Sequence, residues 1–93
     1  MKLIVSAKAV ADIERLHAFL IDDNPAAASR AVVTLVSAID SLETLPERGR
    51  PSGIPHVREL IVPFGQSRYV LRYAHRADEI VILRIWHGRE WRE

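Results

Sequence analysis

At 93 residues, 48% hydrophobic and 27% charged, the chain has the length and composition of one folded globular domain with a single modest core. Its net charge of +1 hides an asymmetry: residues 1–47 carry four basic against seven acidic side chains, or −3, whereas residues 48–93 carry nine arginines, no lysine and five acids, or +4. These numbers exclude a disordered tail, and with no apolar run near the roughly 20 residues that span a bilayer they exclude a membrane protein.

The absence of cysteine removes disulfides, thiol nucleophiles and cysteine zinc sites together. The opening Met1 to Ser6 lacks the apolar stretch and cleavage site of a secretion signal, so a cytoplasmic location is expected. An all-arginine basic half favours recognition of carboxylates or phosphates, because guanidinium is planar and permanently charged.

In chain order, Leu3, Ile4 and Val5 form a short strand-like run ended by Ser6, a suitable helix cap. From Ala7, Val10, Ile13, Leu16, Phe19 and Leu20 recur at three and four, which predicts an amphipathic helix stopping near Asp22. Asn24 and Pro25 then cap and open a second helix, whose stripe is Ala28, Val32, Leu35, Ile39 and Leu42, with Pro46 as its stop. From Glu47 to His56 two Gly and two Pro with no periodicity predict a loop. Three strand-like runs follow, residues 57–62, 68–75 and 79–86, joined by connections too short for anything but antiparallel hairpins. The sum is one α+β domain over residues 1–93: an N-terminal strand, a two-helix hairpin and a three-stranded antiparallel meander, in the order β-α-α-β-β-β.

Alternation along the middle run sets Tyr69, Leu71 and Tyr73 on one face and Arg68, Val70 and Arg72 on the other. In the last run Val81, Leu83 and Ile85 oppose Ile80, Ile82, Arg84 and Trp86, leaving the inward face of that strand open.

The densest group of functional side chains is Trp86-His87-Gly88-Arg89-Glu90-Trp91-Arg92. Here His87 is of the type that serves as general acid or base near neutral pH, and Arg89 of the type that holds a phosphate; a histidine at a strand end is also an ordinary structural residue. His17, His56, His75 and His87 have no metal-binding spacing, the four glycines form no phosphate-cradling motif, and no serine sits in a nucleophile elbow. Neither a metal nor a cofactor is expected.

The stretches Val57-Arg58-Glu59-Leu60, Tyr69-Val70-Leu71-Arg72-Tyr73 and Ile80 through Trp86-His87-Gly88-Arg89 resemble the ParE branch of the RelE/ParE toxins, in order and in spacing. The resemblance extends over essentially the whole chain and implies two helices packed on an antiparallel sheet. It further implies the toxin of a type II toxin–antitoxin pair, neutralised by a ParD-like protein antitoxin in a hetero-oligomer, with no membrane partner. RelE-like members of the family cleave messenger RNA in the ribosome, using basic residues on the middle strands, an arginine near the end of the last strand and commonly a tyrosine near the C-terminus. Here Arg89 falls at the last-strand position, but Val70 stands where the middle-strand arginine would be and Trp91 where the tyrosine would be. Tryptophan cannot exchange a proton as a phenol can.

Members of the ParE branch poison DNA gyrase, and the His-Gly-Arg end is typical of them. The expected activity is therefore gyrase inhibition by binding rather than enzymatic cleavage. On that reading Arg58, Arg72, Trp86, Arg89 and Trp91 are the residues expected to contact target or antitoxin. The alternatives are a ribosome-dependent endoribonuclease, with His87 and Arg89 catalytic, and an interaction domain without toxicity.

Overall fold

The computed structural model describes residues 1–90. Strand β1 (Lys2–Val5) ends at Ser6, whose Oγ accepts a hydrogen bond from the Ala9 N–H at 3.1 Å and so caps helix α1 (Ala7–Ile21). Helix α2 (Pro25–Ser41) starts the same way: Asn24 Oδ1 accepts from Ala27 N–H at 3.0 Å, and Pro25 occupies the first turn where its missing N–H costs nothing. The helix stops at Ser41, not at the expected Pro46. There the Ser41 hydroxyl donates to the Ala38 carbonyl at 2.6 Å, and the N–H groups of Leu42, Glu43 and Thr44 each bond three residues back, tightening the chain into turns.

The segment expected to be a plain loop contains a two-residue strand, β2 (Arg50–Pro51), paired antiparallel with β3 (Val57–Phe64). The loop is held from beneath by Tyr73, whose hydroxyl accepts from Gly49 N–H at 2.9 Å and donates to the Pro46 carbonyl at 2.8 Å. A Cβ at Gly49 would lie 2.8 Å from that hydroxyl, so only glycine lets the backbone come this close.

Strands β3, β4 (Ser67–Arg76) and β5 (Glu79–His87) form the expected meander, and the described residues make one five-stranded sheet of order β1-β5-β4-β3-β2. Both hairpins turn in two residues, with left-handed backbone at Gly65 (φ 57) and Ala77 (φ 53). The first strand joins at the far side and runs parallel to β5, from Lys2 opposite Glu79 to Val5 opposite Ile82.

The two helices cover one face of this sheet. Leu16 of α1, Leu35 and Ile39 of α2, and Leu42 just after α2 pack on Leu60, Leu71, Tyr73, Ile80, Ile82 and Ile85. Register resolves the face of β5 that alternation left open: Tyr73 pairs with Ile82 but Arg72 with Arg84, so Leu83 is an extra residue, a bulge. The bulge keeps both Ile82 and Ile85 in the core while Arg84 and Trp86 turn to the uncovered face. In α1 the expected apolar stripe is corrected at its ends, since Val10 and Phe19 are exposed, Phe19 at 79%, whereas Asp12 is buried at 2%. Among the described residues no helix is long and apolar enough to cross a membrane.

Candidate binding site at the end of the sheet

Strand β1 covers only the first half of β5, and among the described residues no strand lies beside the outer edge of β5 beyond Ile82. Side chains complete it. Ser6 Oγ donates to the Leu83 carbonyl at 3.1 Å, Asp12 Oδ2 accepts from Ile85 N–H at 2.8 Å, Arg15 Nη2 donates to the Ile85 carbonyl at 3.1 Å, and Glu90 Oε1 accepts from His87 N–H at 2.7 Å. Buried backbone groups need such partners, which explains why a carboxylate in α1 points inward.

Asp12 also accepts from Arg84 Nε at 2.8 Å and pairs with Arg15 three residues on. Burial alone would raise its pKa, but Arg84, the Ile85 N–H and Arg15 together hold it below the ordinary carboxylate value. Glu90 behaves alike: burial opposes ionisation, and Arg15 with the His87 N–H more than offsets it.

On the uncovered face the arginines are engaged with the protein itself. Arg72 donates through Nε and Nη2 to Glu59 Oε2 at 3.0 and 2.8 Å, and its guanidinium lies 4.9 Å from the Trp86 ring centre. Arg84 lies 5.0 Å from the same ring. Trp86 thus lies against two cations and is only 4% exposed, while each cation meets a carboxylate, so the face is far closer to neutral than its arginine content suggests.

On the helix side, the C-terminal half of α1 and the β3–β4 turn enclose a groove of ≈ 840 Å³. Leu16, Leu20, Phe64 and Tyr69 give it an apolar lining, Phe19 stands at its lip, and Ser67, His87 and Arg89 close one end. His87 is fully occupied there: Nδ1 accepts from the Arg89 N–H at 3.1 Å, so the neutral ring carries its proton on Nε2, which donates to Ser67 Oγ at 2.9 Å. That tautomer cannot take a proton from Ser67. Tyr69 meets His87 edge-on at 5.9 Å, and burial, then the charge of Glu90, pushes its phenol above the ordinary value.

The structure brings Arg72 and Trp86 together, and places His87 and Arg89 at the groove end. Arg58 lies apart: it pairs with Tyr73 on the helix side and donates to the Gly49 carbonyl at 2.7 Å, holding the loop. Trp91 lies outside the described residues. Sequence reasoning passed over Asp12, Arg15, Glu59 and Ser67. The only signal for the first two was their i,i+3 spacing, which on an amphipathic helix reads as a solvated pair.

Residues 3–91 match the family described as the ParE toxin of the type II toxin–antitoxin system parDE. "Toxin RelE1" of Caulobacter vibrioides is 44% identical over 90 residues, covering 97% of this chain and 96% of the relative. "Toxin RelE3" of the same organism is 37% identical over 81 residues, 87% of each chain. A solved chain of a chromosomal ParDE system from P. aeruginosa superposes with a TM-score of 0.76 at 28% identity, over 94% of this chain and 95% of that one. Fold and relatives together define a small α+β toxin of the RelE/ParE class. The chain belongs to the ParE toxin family of type II toxin–antitoxin systems, and such a toxin implies a cognate antitoxin as partner.

Proposed function

We propose that this toxin acts in the cytoplasm by binding DNA gyrase, without catalysis of its own, and that its antitoxin silences it by filling the groove beside α1. The observation that carries the first part is the state of His87. General acid–base cleavage of RNA needs a base, an acid and phosphate stabilisation converging on one cleft. Here both ring nitrogens of His87 are committed to Ser67 and Arg89, the phenol of Tyr69 is buried, and Val70 lies on the other face, 4% exposed, where a cation would be required. Inhibition by binding needs only a complementary surface. Arg89 and the chain end beyond β5, including Trp91, are the proposed contacts, with the Arg72–Trp86–Arg84 stack as a rigid platform behind them.

The second part rests on the groove, whose apolar lining and exposed Phe19 suit an amphipathic antitoxin segment that orders on binding. Because Arg89 lines both the groove and the chain end, a segment seated there masks a target contact, which makes neutralisation a matter of simple occlusion. The test sets purified toxin in a gyrase supercoiling assay beside a ribosome-bound message cleavage assay. The reading expects supercoiling to stop, cleaved DNA to accumulate and the message to stay intact. Codon-positioned cuts with gyrase unaffected would replace it with the endoribonuclease reading that the relatives' RelE names suggest.

A further inference from the structure

We propose that His56, Arg58 and His75 form a phosphate-binding site at the opposite end of β3 and β4 from the groove beside α1, a second ligand site that neither the gyrase contacts nor the antitoxin groove uses. The three side chains line one cavity of ≈ 540 Å³, whose wall Glu47, Ile54 and Pro55 help to complete.

Register brings them there. Arg58 lies opposite Tyr73 on the helix side of the sheet, and two residues beyond Tyr73 alternation turns His75 to that same side. The His75 N–H donates to the His56 carbonyl at 2.8 Å, which carries the β3–β4 ladder one step past its last pair, Val57 and Ala74. His56 itself takes a left-handed backbone, φ 65, that a glycine would adopt more easily. The turn that holds it there is built from within. Ser52 Oγ donates to the Val57 carbonyl at 2.8 Å and accepts from the Ile54 N–H at 3.1 Å, and the Val57 N–H donates to the Ile54 carbonyl at 3.1 Å.

The donors in this cavity are not spent. Arg58 uses only Nη1 on the loop, donating to the Gly49 and Glu47 carbonyls at 2.7 and 3.4 Å. Its Nε and Nη2 and both imidazole rings make no hydrogen bond among the described residues, and no carboxylate there pairs with Arg58. A carboxylate is satisfied by one edge of a guanidinium, whereas a phosphate has further oxygens to fill, and two imidazole N–H groups beside a permanent cation supply them. Glu47 is the one acidic side chain lining the cavity, so it sets an upper limit on how tightly an anion is held.

The experiment titrates the folded, full-length toxin with inorganic phosphate, adenosine monophosphate, a short single-stranded DNA oligonucleotide and acetate, reading the ring signals of His56 and His75 by NMR. Both rings should respond to the three phosphate probes and far less to acetate. Tighter binding of the oligonucleotide than of the mononucleotide would make nucleic acid the source of the phosphate, and the reverse order a free nucleotide; either upholds the site. His75→Glu should weaken binding by about 10-fold or more through like-charge repulsion. Glu47→Gln should tighten it by about threefold, a gain that a merely structural role would not give, and its side chain makes no hydrogen bond whose loss could unfold the chain. Silent rings with every phosphate probe, or affinity unmoved by both substitutions, would overturn the proposal. Acetate binding as tightly as phosphate would assign the cavity to carboxylates and overturn it too. Should His75→Glu fail to fold, as circular dichroism would show, the ring responses and the direction of the Glu47→Gln change decide alone.

Discussion

Arg15 holds Glu90 through two hydrogen bonds, Nε to Oε2 at 3.1 Å and Nη2 to Oε1 at 3.0 Å, and so ties helix α1 to the chain just beyond β5. Their side chains are 40% and 35% exposed, which limits the pair itself to about 0.5 kcal/mol once solvent screening is counted. Arg15 does more than pair, because it also reaches Asp12 and the Ile85 carbonyl. Glu90→Gln should cost about 0.5 kcal/mol and Arg15→Met about 1–2 kcal/mol in urea unfolding. Equal costs would mean that the Asp12 and Ile85 contacts of Arg15 contribute nothing.

Asp12 carries the heavier burden. Its carboxylate is buried and serves Arg84, Arg15 and the Ile85 N–H together, so Asp12→Ala should destabilise by about 3 kcal/mol or more, leaving cations and a backbone donor without their acceptor. Both Asp12 and Glu90 have pKa values held below those of the unfolded chain. The stability they contribute is present above the ordinary carboxylate range, at about 4, and is lost as pH falls through the lower folded values. Denaturation midpoints measured from pH 7 downward should drop in acid, and Asp12→Asn should flatten that drop. A variant with the same acid profile as the parent would contradict the role given to Asp12.

Gly49 and Tyr73 form a lock between the β2 loop and the core. Gly49→Ala would drive a methyl to 2.8 Å from the Tyr73 ring and hydroxyl, and to 3.0 Å from the Glu59 backbone. Tyr73→Phe leaves the Gly49 N–H and Pro46 carbonyl without their partner, at about 1–3 kcal/mol. Both should lower thermal stability, and the double variant should cost less than the sum, since losing the hydroxyl removes one of the methyl's three close contacts and both changes break the same Gly49–Tyr73 hydrogen bond. Strict additivity would refute the coupling.

The β4–β5 turn holds the opposite opportunity. Ala77 adopts φ 53, a left-handed conformation that costs an alanine about 1 kcal/mol and a glycine almost nothing. After the larger unfolded-state entropy of glycine is counted, Ala77→Gly should raise unfolding stability by about 0.5 kcal/mol. A clear loss in urea titration would contradict that account of the turn.

Local chemistry was the most legible part of the sequence. Ser6, Asn24 and Pro25 act within three residues of themselves, so their capping roles follow from type and position. The antiparallel hairpins follow from connection length. What escaped depends on partners far away in sequence. Asp12 looks like one more polar residue on an amphipathic helix until β5 arrives beside it with an unpaired Ile85 N–H, 73 positions later. The Leu83 bulge breaks a period-two reading that has no way to announce an extra residue. Phe19 fits the helical stripe, yet it stands at the lip of a groove and is 79% exposed, a position that the stripe alone does not reveal. Arg72 and Trp86 were expected to face partners, but Arg72 is held by Glu59 of β3 and Trp86 lies against Arg72 and Arg84, the latter held by Asp12 of α1.

The central claim, that the toxin inhibits by binding and exchanges no proton, is tested most directly by His87→Gln. Glutamine can keep the hydrogen bond that Nε2 donates to Ser67, but it cannot act as acid or base at any physiological pH. The measurement is the induction level at which the toxin, expressed without its antitoxin, halves the growth rate. The account predicts a level within about two-fold of the parent's, at equal protein abundance. Loss of toxicity by a factor of about 100 or more, the usual contribution of a catalytic acid or base, in a folded and antitoxin-binding variant would contradict it.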